Sequence, residues 1–408
     1  MSTAPVAVIA MKISSFDVAA LPRIAFGSGR IQELPGLVPE FGRRVLVITG
    51  RQAFRATSHW SSLLAGLTRA ECEVWDMSVE DEPSPQLVDA AVTRFRPHGI
   101  EVVVGVGGGS VLDAAKAIAG LLPFGNSVLD HLEGVGRGVP YRGPALPFIA
   151  VPTTAGTGSE ATKNAVLSVR GEGGYKKSFR HDTLVPRLAL VDPELLASCS
   201  AEQIAANGMD AFTQLLESYV SLNANPLTDA LAWSGLKAVR EHFLIAWRGG
   251  NEREVHEARA AMAYGSLLSG ITLAQVGLGS VHGLASPLGA LFPIPHGVVC
   301  GTLVAAATET NIGAMRAREP QHPALGKYAA VGRLMSDHQE FSEDEALQAL
   351  VEQLQSWTIT MGLARLGRYG VRSEDIGRIV ADSRGSSMKT NPIVLEDEEI
   401  ARIVEERL

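Results

Sequence analysis

The sequence predicts an α/β chain in two parts: a Rossmann-like front half with a parallel sheet over residues 1–195, then an all-α helical half over residues 196–408. Three observations carry this. Short β-branched apolar runs alternate with helical periodicity in the first half, the pattern of βαβ units. A glycine-rich turn follows directly on one of those runs. From Ala201 onward, amphipathic helical stripes replace the strands.

Val45-Leu46-Val47-Ile48-Thr49 follows two arginines and ends at Gly50, the form of a buried parallel strand. Cys72 to Met77 reads as a second strand. Pro85 to Phe95 sets Leu87, Val88, Ala91, Val92 and Phe95 on one helical stripe. Val102 to Val106 is the next strand. It runs into Gly107-Gly108-Gly109-Ser110, and the following helix holds Val111, Leu112, Ala115, Ile118 and Ala119. Pro147 to Val151 supplies another strand. After Val191-Asp192-Pro193 the pattern changes, and long helices are expected over 201–220, 226–247 and 253–273. A last surface helix is expected from Glu396 to Leu408.

Bulk properties narrow the function classes. With 46% hydrophobic and 20% charged residues, the chain has ordinary globular composition rather than that of a disordered one. A net charge of -8 argues against general nucleic-acid binding, which needs a basic face. The three cysteines, Cys72, Cys199 and Cys300, form no CxxC pair, so neither a disulfide framework nor a cysteine zinc cluster is expected. The leading segment, residues 1–18, lacks a basic region ahead of its apolar patch. No apolar run approaches the ~20 residues that span a bilayer. A cytoplasmic protein with no membrane partner is therefore expected.

Three segments carry chemistry. Gly105-Val106-Gly107-Gly108-Gly109-Ser110 fits a phosphate cradle at a helix N-terminus, and it also fits a tight strand-to-helix turn. The strand before and the helix after favour the cradle. Pro152-Thr153-Thr154-Ala155-Gly156-Thr157-Gly158-Ser159-Glu160 forms a hydroxyl-rich lip just past a strand end, where ligands of open α/β sheets bind. A loop that hydrogen-bonds itself explains it equally well. Finally, His282 and His296 flank a short segment, while Asp210 and Gln214 lie four apart on one helix face. An aspartate with two imidazoles suits a catalytic metal, although spacing alone does not bring the three together.

Taken in order, Gly107 to Ser110 with Asp113 and Lys116, Pro152 to Glu160, Gly208-Met209-Asp210-Ala211, Asn225 to Ala230, Gly277 to Gly283, Pro295-His296-Gly297 and Thr390-Asn391-Pro392 resemble the iron-containing (group III) alcohol dehydrogenases. The resemblance covers essentially the whole chain, from Phe26-Gly27 onward. It implies a dehydroquinate-synthase-like fold with the active site in the cleft between the two halves. By position, Asp210, His282 and His296 look like three of the family's four metal ligands. The fourth, normally histidine, is Gln214 here, and a further family histidine near the substrate is Ser286. A carboxamide oxygen is a weaker ligand than imidazole. The Asp/His/His set is similar to that of zinc-type glycerol dehydrogenase relatives, so one divalent ion, Fe2+ or Zn2+, is expected.

The resemblance also places the cofactor. Gly108, Gly109, Ser110 and Asp113 would lie along the pyrophosphate, and Thr153, Thr154, Thr157 and Ser159 would reach toward the nicotinamide. Lys176 looks like the family lysine on the dinucleotide, with Leu195 near the ribose. Gly50 stands where NAD-preferring relatives often carry an acid, so either NAD or NADP is admitted. The implied reaction is reversible hydride transfer between the nicotinamide and a small alcohol or aldehyde. Asp210, His282 and His296 serve the metal, and the proton leaves through water, a ribose hydroxyl or Ser286. A homo-oligomer, such as a dimer, is expected. Two rivals remain: a metal-independent reductase of a carboxylated substrate, similar to maleylacetate reductases and clamped by Lys163, Lys177 and Arg180, and a dehydroquinate-synthase-like lyase.

Overall fold

The computed structural model describes residues 15–408 apart from Glu172, so the leading segment weighed above lies largely outside the described residues. The front half runs β1 (Arg23–Phe26), α1 (Leu34–Leu37), β2 (Arg44–Gly50), α2 (Ser58–Arg69), β3 (Glu73–Val79), α3 (Pro85–Phe95), β4 (Val102–Gly107), α4 (Gly109–Leu121), β5 (Phe148–Pro152), β6 (Asn164–Val169), β7 (Tyr175–Arg180) and β8 (Leu188–Val191). Six strands form one parallel sheet in the order β1-β8-β5-β4-β2-β3. The remaining two, β6 and β7, pair as an antiparallel hairpin.

Alternation along β2 and β4 sorts side chains onto two faces. Leu46, Ile48 and Val103 pack with Val88, Val92, Leu112 and Ile118 of α3 and α4. Val45, Val47, Val102 and Val104 face Leu34, Leu63 and Leu67 on the other side. Both faces are covered, which is why these strands read as continuous β-branched runs.

The rest is helical, with α5 (Ala201–Val220), α6 (Pro226–Arg248), α7 (Glu252–Val276), α8 (Ser280–Leu291), α9 (His296–Arg318), α10 (Pro323–Ser336), α11 (Glu343–Thr360), α12 (Ile376–Asp382) and α13 (Asp397–Glu405). A capping box at Ser200 and Gln203 starts α5, and another at Asn225 and Thr228 starts α6. These helices share one apolar core. The closing helix is less superficial than expected, because Ile400, Ile403 and Val404 are buried. By length and composition α9 is long and apolar enough to cross a membrane, and α7 with α8 pass jointly although bent by 100°. The apolar window of α9 is 83% buried within the helical core, which accounts for its apolarity all round.

The halves meet at their backbones. Gly158, in the lip after β5, has φ +60°, and a Cβ on Gly270 of α7 would fall 2.1 Å from the Gly158 carbonyl oxygen. Ordinary side chains do not fit there. Gly270→Ala should therefore cost about 1–3 kcal/mol by overpacking. Gly313→Ala, on an exposed turn of α9 with nothing within 4 Å of a new Cβ, should gain about 0.5–1 kcal/mol from helix propensity. Urea midpoints of the two variants should move in opposite directions, and an unshifted Gly270→Ala would refute the close packing.

Candidate active site

One face of α5 carries Asp210, Gln214 and Glu217, all buried, at the four- and three-residue steps that stack side chains on a helix. Opposite them, α8 presents His282 in its first turn. α9 begins at His296 and brings Cys300 one turn later. His282 Nε2 lies 3.2 Å from Asp210 Oδ1, and His296 Nε2 lies 3.6 Å from the same oxygen. Cys300 Sγ is 3.6 Å from His282 Nε2 and 3.8 Å from His296 Nε2. One donor atom from each of these four residues lies within 4.8 Å of every other. The three residues that spacing alone could not bring together thus converge.

The surroundings fix their orientation. Glu217 Oε2 sits 2.6 Å from His282 Nδ1, so this nitrogen carries the proton and Nε2 faces the centre. Its other oxygen accepts from Val281 N–H at 2.7 Å, capping the start of α8. Asn391 Oδ1 accepts from the neighbouring Ser280 N–H at 3.0 Å, which gives the Thr390-Asn391-Pro392 motif a positioning role. Gln214 donates from Nε2 to Asp210 Oδ1 at 3.0 Å, while its Oε1 lies 2.7 Å from Ser269 Oγ.

Charges follow from these contacts. Burial works against the charged form of His282, yet Cys300, Glu217 and Asp210 together carry its imidazole well above the ordinary range. Burial, with help from Lys176 and His282, pushes His296 down to about 4, leaving it neutral. Burial likewise resists ionisation of Asp210, but His296 and His282 hold its carboxyl below the usual range. The Cys300 thiol is pushed up to about 12, chiefly by burial.

A cavity of about 560 Å³ opens beside this cluster. Ser110, Asp113, Thr157, Ser159 and Lys176 of the front half line it, together with Gln214, His282, Ser286 and His296 of the helical half. Asp210 sits behind the latter. Gly50, Gly108, Gly109, Thr153, Thr154 and Leu195 do not line it. Gly108 and Gly109 lie against Thr154 and Thr157, where a Cβ would come within 3.3 and 2.7 Å of those side chains. Leu195 belongs to the apolar cluster that includes Ile31, Leu34 and Phe54, so its side chain faces the core rather than the cavity. Asp113 accepts from Ser159 Oγ at 2.6 Å and from Val166 N–H at 3.2 Å, holding the lip to α4. Lys176 Nζ pairs with Glu82 Oε1 at 2.8 Å, and Ser286 Oγ donates to the Lys176 carbonyl at 3.1 Å. Of the suggested anion clamp, Lys177 and Arg180 reach the cavity, while Lys163 turns to Asp182 at 2.7 Å.

Cys300, Glu217 and Glu82 were not singled out from the sequence. Two of them had a legible signal: Cys300 follows His296 by four residues, and Glu217 follows Asp210 by seven, both helical spacings.

The arrangement fits a divalent ion and a dinucleotide. Anionic and neutral donors of metal-ligand type converge on one point. The N-terminus of α4 has no side-chain cap, with Gly108 extended at its N-cap, so its first N–H groups remain open to a phosphate.

Comparisons with known proteins agree. A model of the iron-containing alcohol dehydrogenases matches residues 22–193, and one of the C-terminal domain of the Fe-containing alcohol dehydrogenase family matches 204–408. Alcohol dehydrogenase 4 of Saccharomyces cerevisiae is 30% identical over 394 residues, covering 94% of this chain and 96% of that protein. The crystal structure of a 1,3-propanediol oxidoreductase superposes with a TM-score of 0.86 at 27% identity, over 97% of this chain and 100% of the other. A sulfoacetaldehyde reductase from Bifidobacterium kashiwanohense, solved in complex with NAD+, gives 0.82 at 27% identity, over 97% and 99%.

Glu217 supports His282 from outside the donor set. Glu217→Gln should therefore weaken divalent-metal binding about 10- to 100-fold while leaving the fold intact. Competition against a chromophoric chelator reads this directly, and an unchanged affinity would remove Glu217 from the support of the site.

Proposed function

The chain belongs to the iron-containing alcohol dehydrogenase family, and we propose that it is a metal-dependent, NAD(P)-linked dehydrogenase of small alcohols, working in reverse as an aldehyde reductase. The observation that carries this reading is the meeting of Asp210, His282 and His296 beside a cavity whose far wall is the Ser110 and Thr157–Ser159 lip. In this reading residues 1–195 hold the dinucleotide and residues 196–408 hold the metal.

Asp210, His282 and His296 would hold the ion, which when bound supplies Lewis acidity toward an alcohol or carbonyl oxygen. The open N-terminus of α4, with Gly108, Gly109 and Ser110, would take the pyrophosphate. Thr157 and Ser159, which line the cavity, would orient the remainder toward the cluster, while Thr154 backs Gly108. Lys176, fixed by Glu82, sets positive charge beside the cleft without competing for the metal. Glu217 keeps the His282 proton on Nδ1, so that Nε2 is free to face inward. The Ser286 hydroxyl commits its proton to the Lys176 carbonyl, so it is not free to take the substrate proton, which would leave through water in the cleft or through a hydroxyl that the bound dinucleotide would supply.

The rival that keeps a footing is a metal-independent reductase of a carboxylated substrate, because Lys177 and Arg180 line the cavity. Exhaustive chelation separates the two. Activity should fall to background and return with Fe2+ or Zn2+. Full activity in the chelated protein would favour the rival.

Cofactor choice is a second test. Gly50 ends β2 with only Val111 within reach of a new Cβ, at 4.0 Å, so a side chain there is tolerated. The wild type should turn over NADP measurably, and Gly50→Asp should shift preference toward NAD by roughly tenfold or more, through repulsion of a 2′-phosphate. The ratio of kcat/KM for the two cofactors measures it. Strict NAD use by wild type and variant alike would contradict the placement of Gly50.

A further inference from the structure

We propose that Cys300 is the fourth protein ligand of the metal, making an Asp/His/His/Cys centre; this rests on the metal-dependent reading above. An ion held about 2.0–2.1 Å from oxygen and nitrogen and about 2.3 Å from sulfur has its ligand atoms at the corners of a tetrahedron with edges of roughly 3.3–3.6 Å. Four edges of such a figure are already drawn here, with Asp210 Oδ1 at 3.2 and 3.6 Å from the two imidazoles. Sγ of Cys300 lies 3.6 and 3.8 Å from the same two nitrogens. The two remaining edges, between the imidazoles and between Oδ1 and Sγ, lie within 4.8 Å, so the four donor atoms would close around an ion by drawing inward.

The helix favours this placement. His296 and Cys300 are one turn apart on α9, so whatever aims the imidazole at Asp210 aims the sulfur at the same point. Cys300 is fully buried and does not line the cavity. Its sulfur therefore closes the centre from behind, and a substrate oxygen would join from the His282 and His296 side, which faces the cleft, by expansion to five ligands. The other two cysteines differ: Cys72 lies near the Ala70 carbonyl and Cys199 near the Thr153 carbonyl.

Gln214 is the competing ligand. As placed, its amide nitrogen, which has no lone pair to give, faces Asp210, and its oxygen is engaged by Ser269. Reversing the carboxamide would turn the oxygen inward, with Nε2 donating to Ser269 Oγ and the Ser269 proton going to Ser266 O at 2.8 Å. The choice is thus between a neutral hard oxygen and a thiolate. When the thiol binds, its S–H bond breaks, the proton passes to solvent and a sulfur–metal bond forms. Asp210 and the thiolate then balance a dication, and the centre favours Zn2+, Co2+ or Fe2+ over Mg2+ or Mn2+.

Cobalt reports the difference, because a thiolate bound to Co2+ gives an intense near-ultraviolet charge-transfer absorption and a carboxamide does not. The metal-free full-length protein, titrated with Co2+, should develop this band to one equivalent. Gln214→Ala should keep it. Cys300→Ser, nearly the same size, and Cys300→Ala should lose it and bind Co2+ at least about tenfold more weakly. The wild-type spectrum stands as a test even if a variant folds poorly. Stoichiometric Co2+ binding without the sulfur band, or Cys300→Ser matching wild type in spectrum and affinity, overturns the assignment and leaves the rest of the metal reading standing. Failure of the wild type to bind Co2+ at all overturns both.

Discussion

Asp210 and Glu217 stand on one buried face of α5, two carboxylates drawn out of water within two turns of a single helix. Buried charge is costly unless paired and hydrogen-bonded. Everything around α5 answers that cost. His282 lies between the two, within reach of Asp210 through Nε2 and donating to Glu217 through Nδ1. The free N–H of Val281 at the start of α8 takes the other oxygen of Glu217. The approach is so close that a Cβ on Gly279 would lie 2.9 Å from Glu217 Oε1. Of the two glycines in the loop between α7 and α8, Gly279 leaves room for Glu217, while Gly277 takes a φ of +76° against Thr390.

The front half shows the same logic with opposite sign. Lys116 is fully buried, and its ammonium reaches Ser159 O, Ser159 Oγ, Thr162 Oγ1 and Asn164 O within 2.7–3.0 Å. Burial lowers it to about 8, while neighbouring Glu160, also buried, is pushed up to about 7. Lys116 and Asp113 therefore stitch the lip to α4, and Gly108 and Gly109 lie directly against Thr154 and Thr157. The two motifs that read as separate ligand loops are also packing partners of each other. The self-bonded reading of the lip is what the contacts show, and it is compatible with the ligand-loop reading, since the bonds hold the hydroxyls and the helix N-terminus in fixed positions.

Legibility in the sequence followed burial and periodicity. β2, β4 and β5 were plain because each is covered on both faces, and α5, α6 and α7 because their stripes are long. β1 was missed: it is four residues long and half exposed at the sheet edge. The β6–β7 hairpin was missed because its partly buried strands mix Lys, Arg and Ser with apolar residues, which blurs the period-two signal. At the site, Asp210, His282 and His296 were legible from their order among other motifs. Cys300 was not, because cysteines were weighed only against one another, whereas its partners are histidines. Leu195 shows the limit of such carry-over, since a position taken from a family says nothing of where the side chain points, and here it points into the apolar core.

The remaining step is how the two halves hold a fixed distance, since hydride transfer tolerates little misplacement between cofactor and substrate. The contact between Gly158 and Gly270 is backbone on backbone, with no side chain to bend. Ser269, next to Gly270 on α7, holds Gln214, which in turn touches Asp210. Two residues past Gly156 in the lip and one residue before Gly270 on the helix, the chain thus has a short rigid path from the cofactor wall to the ligand cluster. A side chain at either glycine would push α7 away, carry Ser269 with it and stretch its contact with Gln214 on α5. The glycines fix reach, and the serine converts that reach into the orientation of a carboxamide beside Asp210. The lip after β5 and the donor cluster are in this way parts of one packed unit rather than two surfaces that happen to face each other.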